Sequence, residues 1–318
     1  MTSVCAAQPS YIVLPEPATL ATNPPSTVQQ FLIEHFVHIE ANIWYQRIFQ
    51  GKVHWQNGEL INESTVYRPK ARVYYYREVE KEIKVPFEER IIYQDDEIII
   101  VFKPHFLPVT PSGHYVNECL VHRLRIKTGI ETIAPAHRLD KDTAGIMLMT
   151  LNPKTRHHYH SLFTSKQISK NYQAIAALTP ELLALHQTQK LTLPIYWTVK
   201  NCIKRSNPSF IMQVVDDEAN SHSEISLMAV KKGFGLFELS PITGKTHQLR
   251  LHMNSLKMPI LNDKFYPKLQ TKMPETFQKP LQLLAHRLKF TDPVTKKRHD
   301  ICHEGLSLDA INCFKPDY

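Results

Sequence analysis

His137-Arg138-Leu139-Asp140-Lys141-Asp142-Thr143-Ala144-Gly145 leads directly into Ile146-Met147-Leu148-Met149. The polar stretch predicts a turn and the apolar run a buried strand. Asp140 stands between Arg138 and Lys141, and neighbouring cations keep a carboxylate ionised and therefore nucleophilic. Taken alone, the segment fits a structural salt bridge equally well. The rest of the chain has to decide.

Outward from this turn the pattern is one of strands with interspersed helices. Ile91–Tyr93 and Glu97–Lys103 predict a hairpin across Gln94-Asp95-Asp96. Asn152-Pro153 opens a helix to about Lys166, with Asn as cap and Pro at the first helical position. Lys170–Ala177, Ser223–Val230, Phe234–Ser240 and Leu283–Thr291 predict strands, and His247–Ser255 a helix. Strands and helices do not alternate regularly, which points to an α+β fold around a largely antiparallel mixed sheet.

Residues 1–25, rich in Pro, Ala, Ser and Thr, predict a loosely held tail. Ser26 predicts an N-cap, with Gln29 completing a capping box. Val28, Phe31, Leu32, His35 and Phe36 then trace a buried helical stripe. A second short helix around Ile43–Phe49 runs into Gly51. Val53–Ile61, with Asn57-Gly58 at its centre, carries a hairpin signal, and Val73–Tyr76 closes the unit. Two helices, a hairpin and a strand resemble the small αL-type RNA-binding module of ribosomal proteins and RNA-modifying enzymes; the alternative is a small domain that only packs on the rest. The expected organisation is a flexible tail over 1–25, a small α+β RNA-binding-like domain over 26–80 and a larger domain over 81–318, with Glu78–Glu89 as a charged linker.

Composition narrows the function. The 318 residues allow about two domains, and 42% hydrophobic content supports real cores. The longest apolar run, Ile98–Phe102, is far below the ~18–20 residues that span a bilayer. The first residues lack the basic-then-apolar order of a secretory signal. Five scattered cysteines without Cys-x-x-Cys spacing fit reduced thiols rather than a disulfide framework or zinc ribbon. A cytoplasmic monomer without membrane contact is expected. The net charge of +8 points to a polyanionic partner, nucleic acid above all. Six basic and seven acidic residues precede position 81, whereas 32 and 23 follow it, so the excess belongs to the larger domain.

Two features invite other readings and fail. Thr243-Gly244-Lys245-Thr246 would be a phosphate loop only with glycine at position 239, which is Leu239. His157, His158 and His160 do not share a helix face at i, i+4 spacing, so no metal site is expected.

Five ordered blocks decide the function. His137–Gly145 resembles the His-Arg-Leu-Asp-x-x-Thr-Ser/Ala-Gly signature of the RluA family of RNA pseudouridine synthases. Lys103-Pro104 with Leu107-Pro108-Val109 and Pro111 resembles its Lys-Pro-x-Gly-Leu-Pro-Val segment, and Lys170–Ala174 its Lys-x-Tyr-x-Ala strand. Pro241–Met253 resembles its Gly-Arg-Thr-His-Gln-Ile/Leu-Arg-x-His block, continued by Pro259-Ile260-Leu261, Asp263 and Tyr266. Leu284-Ala285-His286 with Leu288, Phe290, Pro293 and Thr295 resembles its last strand. The resemblance covers roughly residues 88–304.

The resemblance implies a pseudouridine synthase catalytic domain over 81–318, acting on structured ribosomal or transfer RNA without cofactor or metal. It makes Asp140 the essential carboxylate, which either attacks the anomeric carbon or removes the adjacent ribose proton. Arg250 would pair with Asp140, and Tyr172 would lie against the uracil and take the proton from the carbon that bonds ribose. Arg138 would fill the space left by a flipped uridine. His137, Lys103, Lys170, Lys245, His247 and Gln248 complete the expected RNA-contacting set. Lys245 replaces the family's usual Arg, His105-Phe106 replaces a small residue and Gly, Lys257-Met258 replaces Gly-His, and Asn262 replaces Gly. These departures bear on substrate choice. The competing classes are a non-catalytic RNA-binding protein, which predicts loss of Asp140, and a glycoside-type hydrolase, which needs a second carboxylate in the site.

Overall fold

The computed structural model describes residues 3–16, 19, 25–271 and 276–309. The chain divides into two compact units, Met1–Ile83 with Pro111–Asn117, and Lys84–Thr110 with Glu118–Tyr318.

The first unit contains β1 (Val4–Cys5), β2 (Ser10–Val13), α1 (Val28–His35), α2 (Ala41–Phe49), β3 (Val53–Trp55), β4 (Arg72–Tyr75) and β5 (Glu78–Val79). A three-stranded sheet has the order β2-β4-β3, and β1 pairs with β5. Apolar residues of both helices meet the inner face of that sheet, so Val28, Leu32, Trp44, Val53 and Val73 are fully buried in one core. This corrects the expectation of a loose tail for residues 3–16, because alternation in Ser10–Val13 lets Ile12 pack inward and the backbone of β2 is paired along β4; residues 1, 2, 17, 18 and 20–24 of that expectation lie outside the described residues. The Thr27 hydroxyl caps α1 by accepting from Gln30 N, while Gln30 Oε1 accepts from Ser26 N. The cap therefore lies one residue later than Ser26, and Gln30 reaches back to Ser26 N instead of the cap residue's own N–H, so the expected Ser26–Gln29 capping box is replaced by a Thr27 cap, which contributes about 1 kcal/mol. The Asn57-Gly58 turn forms with Gly58 at φ +85°, but its second arm is a single bridge at Leu60, and β4 supplies the continuous pairing. Glu78–Glu89 is no free linker either. Glu78 and Val79 are paired strand, and the Glu82 carboxylate accepts from Val116 N and Asn117 N.

The second unit contains β6 (Arg90–Gln94), β7 (Ile98–Lys103), α3 (Leu120–Thr128), β8 (Ala134–Pro135), β9 (Ala144–Thr150), α4 (Arg156–Thr164), β10 (Ile168–Ala177), α5 (Pro180–Gln187), β11 (Ile195–Arg205), β12 (Met212–Val215), β13 (Ser221–Lys231), β14 (Phe234–Pro241), α6 (Gln248–Ser255), β15 (Leu283–Thr291) and β16 (Arg298–Cys302). One eleven-stranded sheet runs β12-β11-β13-β14-β10-β15-β9-β7-β6, with β16 on β15 and β8 on β9. Among the described pairings only β15 with β9 is parallel, so the α+β, largely antiparallel expectation holds. The predicted β6–β7 hairpin forms, as do β10, β13, β14 and β15 within a few residues. α4 begins three residues after Pro153, because Asn152 Oδ1 accepts from Lys154 N in a local turn instead of capping the helix.

β9 is buried along its whole length, as its uninterrupted apolar sequence requires for a central strand. Its parallel contact with β15 explains Gly145. At φ +129° a Cβ there would stand 2.3 Å from Ala285 O, so only glycine admits the neighbouring backbone. This close approach fixes the end of β9 and therefore the turn that carries Asp140.

Candidate active site

The sheet register assembles the site. Tyr172 lies opposite Ala285 on β15, and Ala285 lies opposite Gly145 on β9. A single cross-strand row thus carries Tyr172 toward the Asp140 turn, and a register shift between Asn171 and Tyr172 re-aims the tyrosine. The turn itself closes through Thr143 N donating to Asp140 O at 3.1 Å.

Lys103, at the end of β7, is fully buried. Its ammonium donates to Pro104 O and Leu107 O at 2.8 Å and to Lys141 O at 3.0 Å. Burial pulls its pKa down to about 7, opposed by the charges of Asp142 and Asp140. The expected RNA contact is therefore corrected: this lysine is sealed from solvent and ties the Pro104–Leu107 loop to the Asp140 turn. His105 fastens the same junction, its Nδ1 2.7 Å from Asp142 O, and burial lowers its pKa to about 4.

Arg250 comes from the buried face of α6 and is 2% exposed. A buried guanidinium needs a carboxylate, and its main partner is Asp263. Nε and one terminal nitrogen bind the two Asp263 oxygens at 2.8 and 2.6 Å, whereas the other terminal nitrogen stands 3.4 Å from Asp140 Oδ2. Asp263 Oδ1 also accepts from Phe265 N and Tyr266 N. The rings of Phe265 and Tyr266 lie 4.7 and 5.5 Å from the guanidinium carbon. The expected Arg250–Asp140 contact is present but secondary. Asp263, quoted among the sequence blocks without a role, is the group that holds the arginine; the signal that finds it is the need of a buried Arg for a charge.

His247 begins α6 in the left-handed conformation, φ +55°. Its Nδ1 pairs with Tyr266 Oη at 2.9 Å, and its Nε2 stands 3.8 Å from Asp140 Oδ2. Burial lowers its pKa, against the pull of the Asp140 charge. Tyr172 feels the same carboxylate: its phenol pKa is raised, first by burial and then by Asp140. Asp140, Arg250, His247 and Tyr172 thus share one electrostatic neighbourhood, with Asp140 the more exposed member of its ion pair.

The remaining expected RNA contacts separate. Gln248 is buried, and its amide laces the loop before α6, donating to His222 O and Ser223 Oγ and accepting from Thr243 Oγ1 and Lys245 N. His137 also works inside the fold: Leu148 N donates to its Nε2, its ring stacks on Phe163, and burial drives its pKa to about 3. Both are corrected from RNA contacts to braces, because Gln248 uses its amide on neighbouring backbone and hydroxyl groups and His137 uses Nε2 on the backbone of β9. Arg138 and Lys245 are exposed. Lys170 reaches the loop before α6, its Nζ 3.9 Å from where a Gly244 Cβ would stand. It also lines a groove of about 590 Å³ with Lys166, Ser240, Ile242, Lys289 and Arg298. Asp142, the only near carboxylate in sequence, points its charge toward Lys141 at 3.9 Å.

Three departures from the family pattern have one geometry. Phe106, Lys257 and Asn262, each standing where the family commonly has glycine, adopt φ of +65°, +59° and +65°.

The profile of the RNA pseudouridylate synthase family matches residues 97–255. The dual-specificity RNA pseudouridine synthase RluA of Pasteurella multocida is 30% identical over 232 residues, covering 70% of this chain and 93% of that protein. Ribosomal large subunit pseudouridine synthase D of Haemophilus ducreyi is 25% identical over 299 residues, 83% of this chain and 86% of that one. Among solved structures, human RNA pseudouridylate synthase domain containing 1 aligns with a TM-score of 0.56 at 19% identity, over 73% of this chain and 89% of that chain. With the motif blocks, the mixed sheet and these likenesses together, the chain belongs to the RluA family of RNA pseudouridine synthases, isomerases that act on RNA.

Proposed function

We propose that this enzyme isomerises uridines in structured ribosomal or transfer RNA, with Asp140 as the essential carboxylate. The observation that carries the reading is the convergence of Arg250, His247 and Tyr172 on Asp140, the partly exposed end of a buried Asp263–Arg250 pair. The reaction breaks the bond between ribose and the uracil nitrogen, turns the base and rejoins it through carbon, with no atom gained or lost. Asp140 acts on the ribose, at the anomeric carbon or the adjacent proton. Arg250 keeps it ionised and aimed. Burial and the Asp140 charge hold Tyr172 as a neutral phenol, so it takes the proton from the rejoining carbon as a relay, passing its own hydroxyl proton to water or to the carboxylate that Asp140 regains when ribose is rejoined. Arg138 and Lys245, both exposed, and the Lys166–Lys170–Lys289–Arg298 groove suit the vacated stack and the phosphates. Relatives named for the ribosomal large subunit and for tRNA pseudouridine(32) support ribosomal and transfer RNA as the substrate classes. The small N-terminal unit is an added RNA contact.

Pseudouridine maps of the host transcriptome with and without the gene, complemented by wild type or Asp140→Ala, test the reading. Sites lost in the deletion and restored only by wild type are expected. An active Asp140→Ala enzyme overturns the site, and a wild-type protein inert on unmodified transcripts overturns the substrate assignment.

A further inference from the structure

The first unit has an outward sheet face that its own core does not use. Alternation along β2, β3 and β4 turns Ile12, Val53, Trp55, Val73 and Tyr75 inward. The opposite positions are Tyr11, Val13, His54, Arg72 and Tyr74, none of them acidic. Register puts Tyr11 opposite Tyr74 and Tyr74 opposite His54, so three rings form one row across three strands. Their centroids are 5.4 and 5.5 Å apart, the His54 and Tyr74 planes are within 9° of parallel, and Tyr76 continues the row 6.1 Å from His54. Arg72 lies over Tyr11 at 5.3 Å and, among the described residues, has no carboxylate partner. Tyr11 is 55% exposed.

A row of open rings costs solvation unless something covers it. We infer that this face is a stacking platform for an unpaired segment of the RNA substrate, bases lying on Tyr11, Tyr74 and His54 and a phosphate on Arg72. The inference rests on the proposed RNA substrate and names a surface for the N-terminal unit. Three features select the occupant. Every base has a face that stacks on an aromatic ring. The ring spacing exceeds the 3.4 Å rise of a duplex strand, which suits splayed bases rather than a helix. Among the described residues of the face the one fixed charge, Arg72, is positive, which suits a phosphate.

The test uses the full chain and a 12-nucleotide oligouridylate, fluorescein-labelled for anisotropy and carrying 4-thiouridine for photo-crosslinking. Wild type is expected to crosslink through peptides containing Tyr11, His54 or Tyr74. Tyr11→Leu/Tyr74→Leu keeps apolar cover but removes the rings, and should weaken binding tenfold or more while leaving kcat on saturating transcript unchanged. Arg72→Gln, which leaves the core untouched, should weaken it severalfold and flatten its salt dependence. Unchanged affinity in both variants with crosslinks only in Lys84–Thr110 or Glu118–Tyr318 overturns the platform, as does a protein partner captured at these rings while RNA binding is unaltered. Isomerase activity of wild type is scored separately: its presence with no crosslink here sinks the platform alone, and its absence sinks the substrate reading.

Discussion

Arg250 has two carboxylates within reach and gives most of its hydrogen bonding to Asp263 rather than to Asp140, the proposed catalytic carboxylate. The bidentate fork to Asp263, at 2.6 and 2.8 Å, fixes the plane of the guanidinium, and the leftover nitrogen faces Asp140 at 3.4 Å. Lysine keeps the charge but lacks the planar fork, so it cannot reproduce the bidentate grip on Asp263 while a second nitrogen faces Asp140. Arg250→Lys is therefore expected to lower kcat by about 100-fold with RNA affinity nearly unchanged, read from single-turnover kinetics beside filter binding. Asp263→Asn removes the charge partner of a buried cation, and breaking such a pair costs about 3–5 kcal/mol. Its melting temperature should fall by roughly 10 °C, more than that of Arg250→Lys. Equal stability of the two variants would mean that Asp140 alone satisfies the arginine.

At the scale of elements, what the chain spells out locally is what could be read from it. The Asn57-Gly58 turn, the β6–β7 hairpin and β15 were legible because their signals are turn residues and apolar periods. β11, Ile195–Arg205, is absent from the sequence reading although Ile195–Asn201 alternates half-buried and exposed; its inward positions are only half-buried and Lys200 and Asn201 interrupt the apolar signal, while pairing with β13 holds it in the sheet. Ser10–Val13 was hidden by its Pro-rich neighbourhood. The Asp140 motif was legible as chemistry, yet Lys103 and Gln248 looked like RNA contacts, since a polar residue in a motif does not announce that backbone carbonyls will consume it. Lys257 shows an element paying a conformational cost. It follows α6 at φ +59°, the position where a helix end favours glycine, and its side chain is exposed. Lys257→Gly should stabilise the protein by about 1 kcal/mol, a rise of roughly 2–4 °C on melting, with activity unchanged. A drop instead would mean that the lysine makes a contact worth more than its backbone strain.

Across the second unit, acid sensitivity follows from histidines that burial keeps neutral, His105, His137 and His252 most strongly, with His247, His286 and His299 also lowered. His105 and His252 have pKa values lowered to about 4 and His137 to about 3, each chiefly by burial. All three lie below the value of 6.5 they regain when unfolded, so the unfolded chain binds more protons at every pH under 6.5. Their contribution is fully present above pH 6.5 and is lost as pH falls toward 4 and then 3. Each proton taken up on unfolding steepens the decline by about 1.4 kcal/mol per pH unit, so three together reach about 4 kcal/mol per unit near pH 5. Denaturant titrations between pH 7 and 5 should show that slope. His105→Asn, whose amide can still donate to Asp142 O, should lower the slope near pH 5 by about 1.4 kcal/mol per pH unit even if it lowers stability at pH 7. A slope unchanged by that substitution would show that His105 takes up its proton as readily folded as unfolded, so that the Lys103–His105 brace behind Asp140 gains a positive charge as pH falls below about 6.5.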